Sequence, residues 1–136
     1  MTDEYALQPP ISSWKFVDEL QAPLHTPIAW RRAAPGRREA DLRRGVSFAC
    51  RFPDPEGRLE TAVADFRDFL AAGSIPQAGG YSIVADRAPT SCFEAYRIEA
   101  CAAGCRVLAA DTEGIRRGLV FLEDTILSSG GPFLPF

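Results

Sequence analysis

Histidine is the usual proton-transfer group near neutral pH, and this sequence contains one, His25. It stands in Pro23-Leu24-His25-Thr26-Pro27, with no serine, cysteine or carboxylate motif beside it. A general base needs a partner held in geometry, so the local reading is a surface or packing histidine. Thiol chemistry has four candidates, Cys50, Cys92, Cys101 and Cys105. They contain no C-x-x-C pair, and with a single histidine they do not make a zinc pattern. A nucleophilic cysteine would need a base or a helix N-terminus to lower its pKa, and neither is evident. Cys50 lies in an apolar stretch and reads as a small core residue. Cys101 and Cys105 flank a short turn, where a disulfide is geometrically possible. The expectation is four reduced, structural thiols.

Carboxylates concentrate in the second half: Glu94, Glu99, Asp111, Glu113, Glu123 and Asp124. A glycosidase-type pair needs two carboxyls about 5 to 9.5 Å apart in a cleft, and no such pair is identifiable. Glu123 and Asp124 are neighbours on a predicted helix and point apart. Gly114-Ile115-Arg116-Arg117-Gly118 has the glycines of a phosphate loop, but they fall at i and i+4 inside a helix. There they serve close packing on a sheet rather than phosphate binding. Arg31, Arg32, Arg37, Arg38, Arg43 and Arg44 form a basic strip. Glu39 and Asp41 interrupt it and no aromatic platform is interleaved, so it reads as a solvated loop. The residues thus predict no catalytic group, no cofactor and no metal ligand, and a chain that is not itself an enzyme.

The elements that position these residues follow from periodicity. Residues 1–24 read as an arm, broken by Pro9-Pro10, with a short helix after Ser13 carrying Trp14, Val17 and Leu20. Residues 27–33 predict an edge strand, and residues 35–44 an exposed loop opened by Pro35-Gly36. Val46, Phe48, Cys50 and Phe52 recur at period two, as in a strand. Leu59, Val63, Phe66 and Leu70 predict one face of a helix from Arg58 to Ala72, with Glu60, Asp65, Arg67 and Asp68 away from it and Gly73 as its left-handed stop. Strands are predicted at Tyr81 to Asp86, Glu94 to Ala100 and Cys105 to Ala110, the last two as a hairpin. Asp111 or Thr112 caps a final helix to Leu127, with Ile115, Leu119, Leu122 and Ile126 on its buried side.

These elements sum to an α+β fold, an α/β sandwich. Its sheet is mixed and partly antiparallel, with about four or five strands and two amphipathic helices on one face. Residues 25–129 are read as one domain. Residues 130–136 are read as an apolar tail or linker to a following domain, with Phe133, Leu134 and Phe136 as interdomain contacts; alternatively they cover the chain's own sheet. A net charge of −3 among 136 residues gives no reason to expect nucleic acid. No apolar run is long enough for a membrane span, and no signal sequence is seen, so the expected location is cytoplasmic.

Residues 94–122 carry a resemblance. Glu94-Ala95-Tyr96-Arg97-Ile98-Glu99-Ala100 is followed by a tight turn, then Val107-Leu108-Ala109-Ala110-Asp111, then Gly114-Ile115-Arg116-Arg117-Gly118-Leu119 and Leu122. This resembles the small α/β domain that precedes the catalytic barrel in family 20 glycoside hydrolases, the β-N-acetylhexosaminidases. The α-glucuronidase N-terminal domain is similar. In those domains an E-x-Y-x-I strand forms a hairpin with a second strand, and a G-x-x-x-G helix packs on the sheet and leads into the barrel. Here Phe121-Leu122 stands where Thr-Leu often follows the second glycine. The barrel and its Asp-Glu pair are missing, so no catalytic residue carries over.

The resemblance implies a non-catalytic accessory domain of a carbohydrate-active protein, partnered by a catalytic barrel of the same parent protein or by a second copy. The alternative is a free-standing carbohydrate- or protein-binding module, in which Trp14, Trp30 and Tyr81 would be exposed for stacking on sugars. A third reading pairs a cysteine with His25 in a small enzyme.

Overall fold

The computed structural model describes residues 25–136. In chain order the elements are β1 (Glu39–Asp41), β2 (Val46–Cys50), α1 (Glu60–Ala72), β3 (Tyr81–Arg87), β4 (Tyr96–Ala100), β5 (Gly104–Ala109), α2 (Thr112–Ser129) and β6 (Phe133–Pro135). Strands β2, β3, β5 and β4 form one sheet in that order, and β1 pairs with β6 in a second. Within the larger sheet β2, β3 and β5 run parallel while β4 returns antiparallel to β5. The fold is therefore the expected small α+β sandwich with a mixed sheet. Among the described residues no helix is long and apolar enough to cross a membrane.

Alternation along the strands places Val46, Phe48, Tyr81, Ile83, Ala85, Cys105, Val107 and Ala109 on the buried face. Ser47, Ser82, Arg97, Glu99 and Arg106 alternate with them and are exposed. Both helices cover the buried face. Phe66 of α1 packs against Phe48 with ring centroids 4.9 Å apart, and Ile115, Leu119, Leu122 and Ile126 of α2 are fully or almost fully buried.

Helix ends have specific causes. Asp54 accepts hydrogen bonds from the amides of Arg58 (2.8 Å) and Leu59 (2.7 Å), satisfying donors at the start of α1. Asp111 caps α2 by accepting from the Gly114 amide at 2.8 Å, and Gly130 closes the helix in the left-handed conformation with φ 81°. Gly73 does not play the same part for α1, since its φ is −86° and Ser74 takes the positive φ instead. Glycine is required at 73 for a different reason: a Cβ there would lie 2.8 Å from the Trp30 ring.

Three expectations are corrected. Residues 27–33 form no strand. They run past the C-terminal ends of both helices, where Ile28 donates to the carbonyl of Ala72 (2.9 Å) and Arg31 and Arg32 donate to that of Gly130 (2.9 and 3.0 Å). Helix C-termini leave such carbonyls without internal partners, so an extended segment fits there without a sheet. The loop expected at 35–44 contains β1. The tail at 130–136 contains β6, whose residues Phe133, Leu134 and Pro135 pair with Asp41, Ala40 and Glu39. Phe133 and Leu134, expected as interdomain contacts, are 0% and 1% exposed. The expected arm at 1–24, with its helix after Ser13, lies outside the described residues.

Candidate functional site

Helices α1 and α2 lie side by side, and the segment entering the fold crosses them at His25. Asp65 and Asp68 are one turn apart on α1, so they share a face. That face points away from the sheet, as their exclusion from the apolar stripe predicts, but toward His25. The backbone amide of His25 donates to Asp68 Oδ2 at 2.7 Å, and its Nε2 lies 2.9 Å from Asp65 Oδ1. The ring meets Phe69 edge-on, with centroids 5.5 Å apart.

Glu123 reaches the same point from α2. Its Oε1 is 3.6 Å from His25 Nε2, and its side chain is only 8% exposed, against 23% for His25 and 28% for Asp65. Burial, together with hydrogen bonding to Asp65 and the nearby charges of Asp65, Asp124 and Asp68, pushes the Glu123 carboxyl up to about 9. Its Oε2 is buried and has no hydrogen-bond partner among the described residues. Donor atoms of His25, Asp65 and Glu123 all lie within 4.8 Å of one another.

Local motifs do not show this cluster: the residues around His25 offer it no partner, and positions 25, 65 and 123 share no metal-ligand spacing. One signal was present: Glu123 falls between Leu122 and Ile126 on the buried stripe of α2, at i+4 from Leu119. A carboxylate on an apolar stripe has to be paired, neutralised or coordinated.

The other candidate residues are placed as follows. The helix of Gly114 and Gly118 lies directly on the hairpin. A Cβ at Gly114 would lie 2.7 Å from the Ala109 Cβ, and one at Gly118 would lie 2.5 Å from Val107 Cγ1. All four thiols are unpaired. Cys105 sits opposite Ala100 rather than Cys101, so the turn does not set the two sulfurs across one rung. Burial pushes the Cys105 thiol up to about 12 and also raises Cys50, which is opposite to the shift of an activated nucleophile.

The basic strip is partly engaged within the fold. Arg32 holds Glu39 through two hydrogen bonds (2.8 and 2.7 Å), and Arg43 holds Asp41. The guanidinium carbons of Arg32 and Arg43 lie 5.2 and 5.6 Å from the centre of the Phe133 ring. Phe136 is half-buried, donates its amide to the carbonyl of Arg38 and packs beside that arginine. Of the proposed sugar-stacking aromatics, Tyr81 is buried and donates its hydroxyl to the Cys101 carbonyl at 2.7 Å. Trp30 is half-buried and donates to the Gly73 carbonyl at 2.7 Å. Trp14 lies outside the described residues.

Comparison with protein-family models finds no match for this chain, and a search of curated proteins finds no relative.

Proposed function

We propose that this chain is a non-catalytic accessory domain of a carbohydrate-active, glycoside-hydrolase-like protein, which packs against and supports a catalytic barrel of the same parent protein. The observation that carries the reading is the double-sided character of α2. Its inner side is seated on the β4–β5 hairpin through Gly114 and Gly118, the segment on which the resemblance rests. Its outer side leaves Val120, Phe121 and Leu127 exposed at 41, 45 and 43%. Val120 and Leu127 share one flank of the helix, and Phe121 on the other flank lies beside Tyr96 of β4 with ring centroids 5.9 Å apart; apolar surface left over by an already packed helix fits a second packing partner. This outer side replaces Phe133 and Leu134 as the barrel contact. Four unpaired thiols agree with a reducing, cytoplasmic setting.

The test begins by sequencing the gene at and beyond the codon for Phe136. A strand-helix repeat with an acidic pair at a barrel strand end supports the reading, and a stop codon at that point overturns it. With a barrel in hand, V120D/F121D in the two-domain protein should lower the barrel's thermal midpoint while leaving the isolated accessory domain folded. An unchanged midpoint would count against α2 as the contact.

A further inference from the structure

We propose that His25, Asp65 and Glu123 bind one divalent transition-metal ion of the Zn2+ type, tying the entry segment of the fold to both helices. Three parts of the chain supply the donors: residue 25, α1 and α2. Metal–ligand bonds of about 2.0 to 2.2 Å place neighbouring donors of a tetrahedral or octahedral shell roughly 3.0 to 3.5 Å apart. The His25 Nε2 atom is 2.9 Å from Asp65 Oδ1 and 3.6 Å from Glu123 Oε1, so little rearrangement is required.

The second, independent observation is the orphaned oxygen. Glu123 is 6% exposed overall, points into the cluster, and has an Oε2 with no partner among the described residues. Burying such an atom without a donor or cation is costly.

The donor set selects the ion. Imidazole nitrogen beside carboxylate oxygen suits Zn2+ and its neighbours, whereas Mg2+ and Ca2+ prefer oxygen alone. Asp68 holds the His25 backbone in place through the 2.7 Å amide bond, which is the work of a residue that positions a ligand. Access exists from solvent, because Asp65 also lines a groove between the helices with Arg58, Ala62 and Leu119. Water would complete the shell from that side.

The test uses the full chain, without a histidine tag and with the exposed Cys92 and Cys101 changed to serine, so that no exposed sulfur takes the metal. After EDTA treatment, Zn2+ is titrated at neutral pH by calorimetry, and His25 is followed by NMR. Because His25 is the only histidine, its imidazole signals are assigned without ambiguity. The expected result is one Zn2+ per chain, with His25 ring signals that shift on binding and return with EDTA. E123Q and H25A should each weaken binding by roughly 100-fold, and D68A, which removes the acceptor of the His25 amide, by about tenfold. Absence of 1:1 binding, or binding that leaves the His25 signals unmoved, overturns the proposal. The NMR readout needs no substitution at the three ligands, so it decides the matter even if E123Q fails to fold.

Discussion

Asp111 accepts from two amides with its two oxygens: Oδ1 from Gly114 at 2.8 Å, capping α2, and Oδ2 from Glu94 at 3.1 Å, holding the loop before β4. Glu94 needs that support, because it has a positive φ of 69°. Loss of a cap costs about 1 kcal/mol, and a second bond is lost with it. D111A is therefore expected to destabilise by about 2 kcal/mol, measured as a lower urea midpoint with an unchanged slope. Glu39 offers a pH test at the same scale. Hydrogen bonds from Arg32 and from the Gly36 amide lower its carboxyl from 4.5 to about 2. A depressed carboxylate stabilises the fold above its unfolded value, so this contribution is present above about 4.5 and is lost as pH falls toward 2. Titration of the Glu39 carboxyl by NMR should show a midpoint well below that of a free glutamate, and R32A should raise it toward that value, the Gly36 amide keeping part of the lowering.

At the scale of elements, α2 and β6 carry the sharpest expectations. Alanine in place of glycine ordinarily strengthens a helix by about 1 kcal/mol. G118A should do the opposite here, because its Cβ would meet Val107 Cγ1 at 2.5 Å and overpacking costs roughly 1 to 3 kcal/mol. A lower thermal midpoint with unchanged helical circular dichroism would fit this; a higher midpoint would mean that α2 does not sit as close to the hairpin. Strand β6 is held by β1 on its edge and by the core beneath Leu134. Phe133 is fully buried, and F133A should cost about 3 to 5 kcal/mol. Wild-type stability for that variant would return the tail to the status of a surface appendage.

Among the described residues, the larger sheet has one face under helices and one face left uncovered, and the two-stranded sheet ties residues 133–135 to the segment before β2. Deleting residues 130–136 removes the β1 partner and the cover over Leu42, whose amide donates to the Pro132 carbonyl at 2.9 Å. The shortened chain is expected to lose its cooperative thermal transition, checked by calorimetry. Thiol labelling reads the same packing from inside. Cys92 and Cys101 are exposed and should react quickly with a disulfide reagent, while Cys105, buried and raised to about 12, should react only on unfolding.

Much of this was legible along the chain, because it depends on neighbours within a turn or a hairpin. The stripe of Ile115, Leu119, Leu122 and Ile126, the Asp111 cap and the close seat of Gly114 and Gly118 are local patterns that one element imposes on itself. So is the alternation that fixes which face of each strand is buried. What tertiary structure decided are the pairings between distant segments. β1 is three residues long and has no period to read; it exists because β6, more than ninety residues later, offers it hydrogen bonds. Phe133 and Leu134 look like a free apolar tail until that strand covers them. His25, Asp65 and Glu123 belong to three segments with no common spacing, and the packing of α1 against α2 brings them together. Local sequence set both helices, the four strands of the larger sheet and their buried faces, since burial and local hydrogen bonding act at short range. Only the fold determined which edges and which charges meet, since that depends on how the elements dock.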